Sequence, residues 1–274
     1  MAAVAEPLAP VVDRPSRRST GALRVVEREA RIYQRLWKSS VFTYFVGPAM
    51  YLAAMGLGLG GLIEENGAFT GDVSYLQFVA PGLLAATIMQ TASADSLWPI
   101  MGGLKWMRSF HAMAATPMTP GQIIAGHLTW GAIRVALSAT IFLVVAAVLG
   151  AIASPWAVLA IGAAILTGLA FAAPISAFSA TQETDSRFPL VMRFIVLPLF
   201  LFSGTFFPLS DLPEWLQTLA WISPLWHGVE LCRAATTGQV VSWAAMVGHV
   251  AVLVAYAGVG LWCGARAFRT RLAA

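Results

Sequence analysis

Long apolar segments separated by short polar ones make up most of the chain. Six of these segments are about as long as a helix must be to cross the hydrocarbon core of a bilayer, roughly 20 residues. They cover residues 41–63, 76–98, 130–149, 156–178, 188–207 and 243–265. The pattern predicts an all-α integral membrane protein, with a six-span transmembrane domain over residues 41–266.

The segment before the first span has two parts. Residues 1–19 are rich in Pro, Ala, Arg and Ser and lack periodicity, which predicts a disordered tail. Residues 20–40 have apolar positions at spacings of three and four, with Arg, Glu and Lys between them, which is typical of an amphipathic interfacial helix. The apolar positions are Leu23, Val26, Ala30, Tyr33 and Trp37. This helix would be an elbow leading into the first span, an anchor, or a contact with a partner protein.

Two short apolar helices are predicted between the fifth and sixth spans. Residues 213–221 and 224–235 are too short to cross a bilayer. Ser210 and Asp211 are candidate caps for the first helix, and Ser223 followed by Pro224 is a start signal for the second. The segment 208–235 is therefore expected to form re-entrant helices that lie in the interface or within the protein.

Charged residues in the loops predict the orientation. Cationic residues of short loops concentrate on the cytoplasmic side of membrane proteins. Residues 14–38, Lys105, Arg108, Arg187, Arg266, Arg269 and Arg271 all fall on one side of the predicted membrane. The other side carries Glu64, Glu65, Asp72, Asp211, Glu214 and Glu230 against Arg233 alone. Both termini, including a tail at 267–274, are expected in the cytoplasm, and the protein in the plasma membrane.

The composition agrees with this class of protein. The chain is 58% hydrophobic and 11% charged, with a mean hydropathy of +0.73. So little charge cannot solvate the surface of a water-soluble protein of this length, which excludes that class. The two cysteines, Cys232 and Cys263, fall at different depths and predict no disulfide.

Motifs for catalysis are missing from the sequence. Neither lysine, Lys38 or Lys105, stands in a phosphate-binding G-x-x-x-x-G-K-[ST] loop. No H-E-x-x-H or G-x-S-x-G motif occurs, and the four histidines are too scattered to suggest a metal site. We therefore expect no catalytic residue, metal or cofactor on this chain, and no nucleic-acid partner.

The cytoplasmic loop 102–120 is the best candidate for a working part. Gly102 and Gly103 precede a short helical segment, and Trp106, Phe110 and Met113 recur at i, i+4 and i+7. An apolar stripe of this kind would dock in a groove of another protein or lie on the membrane, and the residues leave both open. The candidate partner-binding residues are Lys105, Trp106, Met107, Arg108, Phe110, His111 and Met113. The second inward loop, 181–187, would make a smaller contact or be solvated.

Three ionisable residues, Asp95, Arg134 and Arg193, fall inside predicted spans. Charges there are unfavourable and are commonly functional or paired. Asp95 and Arg134 could pair across neighbouring helices, and the arginines could reach the headgroups; a place on a substrate path is the other interpretation. The spacings Gly56-x-x-x-Gly60 and Gly260-x-x-x-Gly264 favour close helix packing within the chain.

Residues 199–233 carry a family resemblance. With S-G-x-F-F-P at 203–208, Leu-Pro at 212–213, S-P-L-W-H-G-V-E at 223–230 and the following Arg233, the segment resembles the last extracytoplasmic segment of ABC type-2 exporter permeases. It is most similar to the branch that exports lipo-oligosaccharides and daunorubicin-type drugs. A-M-A-A-T-P-M-T-P at 112–120 resembles the coupling region of the family, although Met107 stands before Arg108 where relatives commonly carry Glu.

The resemblance implies a function for the whole chain. It would be the permease subunit of an ATP-driven exporter for a lipid-linked, glycolipid or hydrophobic drug-like substrate. ATP and Mg²⁺ would be bound by a separate nucleotide-binding subunit, which docks on loop 102–120. A second permease chain, identical or paralogous, would complete the pathway among membrane lipids. A secondary transporter and a membrane scaffold are the alternatives, and association with an ATPase would separate them from an exporter.

Overall fold

The structure is a computed structural model, and it describes residues 21–35, 46–47, 49–55, 58, 73–239 and 242–273. Within these ranges the chain is helical, with no strand, as the sequence predicts for an all-α protein. The expected disordered tail at 1–19, most of the first predicted span and the pair Gly56 and Gly60 lie outside the described residues.

Ten α-helices are labelled here in chain order. They are α1 (Gly21–Tyr33), α2 (Tyr75–Met101), α3 (Ser109–Ala114), α4 (Pro120–Val148), α5 (Leu159–Thr181), α6 (Phe188–Val191), α7 (Leu197–Phe202), α8 (Glu214–Ile222), α9 (Pro224–Thr237) and α10 (Trp243–Ala273).

Among the residues that the structure describes, three helical segments are long and apolar enough to cross a membrane: Pro120–Val148, Pro155–Thr181 and Trp243–Ala273. They correspond to the third, fourth and sixth predicted spans. The second predicted span corresponds to α2, which has 27 residues but carries more polar side chains and is mostly buried by its neighbours. The total of six spans stays a prediction.

Helix α5 lies at the centre of the bundle and packs against α2, α4, α9 and α10. Its contact with α10 is close because Gly260 has no side chain. A Cβ atom on Gly260 would lie 2.4 Å from the backbone nitrogen of Pro174 in α5. Gly264 faces Ile124 and Ala177. The Gly260-x-x-x-Gly264 spacing therefore serves packing within the chain.

Helix α1 packs along the first turns of α4. A Cβ atom on Gly126 of α4 would lie 2.6 Å from the carbonyl oxygen of Ala22, and Val25 is buried in the same contact. The rings of Tyr33 and Trp130 meet edge to face, with centroids 5.6 Å apart. Leu23, one of the predicted apolar positions of this interfacial helix, is exposed. Helix α1 therefore packs against the bundle on one side and exposes apolar side chains on the other.

The fifth predicted span is not one regular helix. Between α6 and α7 the backbone widens into a π-helical turn, Met192–Val196, and the helix ends at Phe202. Pro198 explains the widening, because its ring would clash with the carbonyl of residue 194 in a regular α-helix. The predicted end at residue 207 is therefore about one turn late.

Several helix ends differ from the sequence-based expectation. Helix α4 begins at Pro120, ten residues before the predicted span, because Thr119 and Gln122 form a capping box. Helix α10 continues to Ala273, so the predicted tail is helical, with Phe268 and Leu272 buried. Ser223 caps α9 as predicted, through Leu225 N at 3.1 Å.

The predicted cap of the first short helix is wrong. Ser210 and Asp211 lie in a separate 3-10 turn, Leu209–Asp211, and Pro213 occupies the N-cap position of α8 without a side-chain hydrogen bond. Helices α8 and α9 themselves match the two predicted short helices to within two residues at each end.

Candidate functional site

The predicted coupling helix is broken in two by Arg108. Helix α2 runs directly into a π-helical turn, Gly102–Trp106, that closes with Met107 N donating to Gly102 O at 2.8 Å. Arg108 then adopts the left-handed conformation, with φ of 50°, and α3 begins at Ser109. Because a non-glycine residue rarely adopts this conformation, the turn is a specific local structure rather than a continuous helix.

The break separates the residues of the predicted apolar stripe. Trp106 and Met107 are 61% and 71% exposed, whereas Phe110 and Met113 are 3% and 8% exposed. The ring of Phe110 packs against Phe268 of α10, with centroids 5.4 Å apart. The expected single stripe facing the cytoplasm is therefore wrong for Phe110 and Met113, which belong to the protein's own core.

The exposed part is a short edge formed by residues 105–108, here called the coupling edge. Lys105, Trp106, Met107 and Arg108 are all exposed, and His111 is half-buried. The edge combines two cationic side chains with two large apolar ones. It is continuous with α2 on one side and anchored by buried Phe110 on the other, so a force on it would act on the bundle directly.

Glu183 of the second inward loop connects the coupling edge to α10. Its carboxylate forms ion pairs with Lys105 and with Arg271. Lys105 Nζ also donates to the Glu183 carbonyl at 2.8 Å. Arg271 donates to the carbonyls of Ala180 and Gln182, each at 2.9 Å, at the end of α5. One carboxylate thus joins the C-terminal ends of α2, α5 and α10.

The charge of Glu183 is stabilised by these partners. Hydrogen bonds from Lys105 and then Arg271 hold the pKa of the Glu183 carboxyl below its usual value, although the group is fully exposed. Sequence reasoning placed Glu183 in a solvated loop or a small partner contact. Lys105 and Arg271, which bind Glu183, are 78 and 88 positions away along the chain. No local sequence pattern therefore predicts that these three residues meet.

Two of the three predicted intramembrane charges meet. Arg134 Nη2 of α4 lies 3.0 Å from Asp95 Oδ2 of α2, and the side chains are 20% and 32% exposed. The pairing suggested by the sequence is therefore present, and it holds two neighbouring helices together. An ion pair reduces the unfavourable transfer of both charges into an apolar region.

A small cavity, lined mostly by apolar atoms, adjoins this ion pair. It has a volume of about 20 Å³, room for one water molecule, and is lined by Asp95, His127 and Arg134 with residues of α5. His127 Nδ1 and Arg134 Nε face no hydrogen-bond partner among the described residues. A water molecule with partners of this kind is a normal component of a folded protein.

The third intramembrane charge, Arg193, is placed differently. It lies in the π-helical turn between α6 and α7, and it is exposed. No described carboxylate forms an ion pair with it. The structure therefore brings Asp95 and Arg134 together and leaves Arg193 on a separate surface.

Arg233, which the sequence marked as the single cation of the predicted outer side and as part of the family resemblance, organises that end of the bundle. Its guanidinium lies 4.0 Å above the Phe78 ring of α2. It donates to Gly204 O at 2.7 Å and to Glu230 Oε1 at 2.6 Å. Arg233 therefore joins α9 to α2 and to the turn after α7.

Two histidines that the sequence analysis treated as scattered are also in contact. His227 Nδ1 of α9 lies 2.7 Å from His249 Nδ1 of α10, and His227 Nε2 lies 2.9 Å from Trp221 O. Because the Trp221 carbonyl can only accept a hydrogen bond, His227 Nε2 carries a proton and donates it. His227 Nδ1 is then unprotonated in the neutral ring and accepts a hydrogen bond from His249 Nδ1. The contact joins α9 to α10. Within the described residues no cluster of three or more metal-binding side chains occurs.

The sequence was also compared with known protein families and proteins. Residues 23–237 match the ABC-2 type transporter family. The relatives include two nodulation proteins J. The protein of Rhizobium leguminosarum bv. viciae is 31% identical over 242 residues, which cover 86% of this chain and 90% of the relative. That of Rhizobium meliloti is 28% identical over 252 residues, covering 91% and 93%.

A further relative has a name that describes transport. The inner membrane transport permease YadH of Escherichia coli is 24% identical over 204 residues, covering 72% of this chain and 75% of the relative. The family match includes the coupling edge, the Asp95 and Arg134 pair and α9. The chain is therefore a permease of the ABC-2 type transporter family.

Proposed function

We propose that this chain is the permease subunit of an ATP-binding cassette exporter and works with a separate ATPase subunit, which binds ATP and Mg²⁺. The coupling edge is the observation that carries the proposal. It presents exposed Trp106 and Met107 at the end predicted to be cytoplasmic, and its backbone is fixed by the buried Phe110. Aromatic and cationic side chains on a rigid support are suited to docking in a groove of a partner.

Movement of the docked ATPase would reach the bundle by two routes. The first is α2, which continues from the coupling edge to Phe78, where Arg233 of α9 is bound. The second is Glu183, whose ion pairs with Lys105 and Arg271 connect the same edge to α10. A displacement at residues 105–108 would therefore be transmitted to the outer helices α8 and α9, which would shape the exit.

The surface of the bundle supports a membrane pathway shared with a second chain. Large apolar side chains are exposed along α4, α6, α7 and α10, which suits contact with lipid and with a second permease copy, identical or paralogous. Asp95 is the one acidic residue within the six predicted spans, and Arg134 forms an ion pair with it. Such a surface suits a lipid-linked, glycolipid or hydrophobic drug-like cargo better than a free sugar or an ion.

The names of the relatives support the location and the class of activity. The Escherichia coli relative is called an inner membrane transport permease. We place this chain in the plasma membrane with both termini in the cytoplasm, because the cationic residues of its loops fall on that side. Lys105, Arg187 and Arg271 then lie with the coupling edge on the side where ATP is available.

ATP hydrolysis by the reconstituted complex tests the proposal. The permease is co-expressed with an ABC ATPase subunit, purified and placed in lipid, and wild type is compared with Trp106→Ala, Met107→Ala. Trp243→Ala is the matched control, because Trp243 is 79% exposed at the predicted outer end. We expect the double variant to lower permease-dependent hydrolysis about tenfold or more, as for loss of an interface hot spot, and the control to leave it unchanged.

Two results would contradict the proposal. If no ATPase subunit associates with the wild-type chain, a secondary transporter or a scaffold replaces the exporter. If the complex forms and the double variant hydrolyses ATP as wild type does, the coupling edge is not the docking surface.

A further inference from the structure

Arg193 stands out among the charged residues of the predicted spans because it is exposed rather than paired. Its neighbours Leu190, Phe194, Ile195 and Leu197 are exposed as well, so one cation lies within an apolar surface. This surface, Leu190 to Leu197 with Arg193, is here called the Arg193 surface. An arginine facing hydrocarbon is unfavourable unless an anion or water reaches its guanidinium.

The sequence limits which groups of the chain could neutralise Arg193. Residues 186–210 contain no Asp or Glu, and neither do residues 36–63, which include the predicted first span. Asp95 is the one acidic residue within the six predicted spans, and it is bound by Arg134 at 3.0 Å. The predicted spans of a second copy would therefore bring no free carboxylate to Arg193, and the nearest acidic residue along the chain is Asp185, in the exposed loop 181–187.

The depth of Arg193 agrees with a lipid headgroup as the anion. It lies five residues after Phe188, the first residue of α6, which corresponds to about 8 Å along a helix. A long arginine side chain can extend from that depth to the phosphates of the inner leaflet while its methylene groups stay in the apolar region. The exposed side chains of Phe194, Ile195 and Leu197 would then contact the chains of the same lipid.

The local backbone supports a binding role. Arg193 lies in a π-helical turn, and such turns inside helices are frequent at functional sites because they turn one side chain out of the regular register. The turn precedes Pro198, whose ring disrupts regular α-helical geometry at this point. The same turn also packs against α2.

We infer that the Arg193 surface is a binding site for a phosphate-bearing lipid of the inner leaflet. The guanidinium binds the headgroup phosphate, and the apolar side chains bind the hydrocarbon. The site deepens the proposed function, since a lipid-linked cargo with a phosphate would enter at this depth. A role of the Arg193 surface in transport rests on the proposed exporter function, whereas lipid binding at this surface does not.

Native mass spectrometry of the purified chain in a neutral detergent tests the inference without the ATPase. The probes are dioleoyl phosphatidic acid, dioleoylglycerol, which has the same chains without phosphate, and soluble glycerol phosphate. The proteins are wild type, Arg193→Gln, Arg193→Lys and Arg187→Gln. Arg187 is the charge-matched control, because it lies in the inward loop and donates to Gln182 Oε1 at 3.2 Å.

We expect wild type to retain phosphatidic acid in preference to both other probes. Arg193→Gln should retain about fivefold less, the effect of one cation near a lipid surface, while Arg187→Gln retains as much as wild type. Arg193→Lys should restore most of the retention, which also separates loss of binding from failure to fold. Thermal unfolding of each variant checks its integrity.

Four results would overturn the inference. Equal retention by wild type and Arg193→Gln removes Arg193 from the site, and equal losses in both Gln variants indicate binding by net charge. Displacement of the lipid by glycerol phosphate indicates a soluble anion site. A dimer that Arg193→Gln dissociates, without a change in lipid retention, assigns the surface to a second copy. Each of these leaves ATPase association, and with it the proposed function, unaffected.

Discussion

Arg134 and Asp95 form an ion pair across α4 and α2, with Arg134 Nη2 at 3.0 Å from Asp95 Oδ2. Asp95 is the one Asp, Glu, Lys or Arg residue of α2, and Arg134 is the one such residue of α4. Because each charge is unfavourable there without the other, the pair fixes the rotation of both helices. It also connects α4, on which α1 packs, to α2, which continues into the coupling edge.

Removing one member of this pair should destabilise the protein more than removing both. Asp95→Asn leaves the Arg134 guanidinium half-buried without a counter-charge, and we expect a loss of about 2 kcal/mol. Breaking a fully buried ion pair lowers stability by about 3–5 kcal/mol, and the partial exposure of both side chains makes the expected loss smaller here. Thermal unfolding in detergent measures it.

The double variant Asp95→Asn, Arg134→Gln completes a mutant cycle for the same pair. Its loss of stability should be smaller than the sum of the two single losses, since it leaves no unpaired charge. Strictly additive losses would show that the two side chains do not interact in the folded protein.

The contact between α10 and α5 predicts opposite effects for two glycines on one helix. Gly260→Ala places a Cβ atom 2.4 Å from Pro174 N, which would force the helices apart. We expect a loss of about 1–3 kcal/mol, typical of overpacking. Gly258→Ala has open space at its Cβ position, and should leave stability unchanged or raise it by up to about 1 kcal/mol. Unfolding temperatures that fall equally for both would contradict the packing.

Glu183 predicts a dependence of stability on pH. Its pKa is lowered from the usual 4.5 by Lys105 and Arg271, so the folded protein favours the ionised carboxylate. The stabilisation is fully present above about pH 4.5 and is lost as the pH falls through the lowered pKa. Unfolding temperatures of wild type and Glu183→Gln should therefore differ at pH 7 and converge as the pH falls below about 4.5. Parallel curves over this range would show that Glu183 is not bound to these cations.

Arg233 predicts that the outer end of the bundle depends on one guanidinium. Arg233→Met removes the hydrogen bond to Gly204 O and the contact with the Phe78 ring, and leaves Glu230 half-buried without its partner. We expect a loss of about 2–3 kcal/mol. Arg233→Met, Glu230→Gln should recover part of it, measured by the same unfolding assay. If Arg233→Met alone is as stable as wild type, Arg233 does not stabilise this end of the bundle.

Much of the fold could be predicted from the sequence because apolar length and helix-start signals are local. The third, fourth and sixth spans and both short helices, with the Ser223 cap, follow from such signals. The start of α4 was placed ten residues late, since Gln122 and His127 interrupt the apolar run. Only the capping box formed by Thr119 shows that they belong to the helix.

The candidate site was less predictable, because spacing indicates a shared face but not the direction of that face. Trp106, Phe110 and Met113 have helical spacing, yet the left-handed Arg108 rotates Trp106 away from the other two. The contacts of His227 with His249 and of Arg233 with Phe78 join distant parts of the chain, and no local pattern predicts them.

Site-specific photocrosslinking shows whether the coupling edge contacts an ATPase subunit in the assembled complex. Benzoylphenylalanine is placed at position 107, where Met107 is 71% exposed, and at position 243, where Trp243 is exposed at the predicted outer end. After irradiation of the complex with its ATPase subunit in membranes, the crosslinked peptides are sequenced. We expect a crosslink from position 107 to the ATPase and none from position 243. A complex that crosslinks from 243, or that hydrolyses ATP without any crosslink from 107, would contradict docking of the ATPase at the coupling edge.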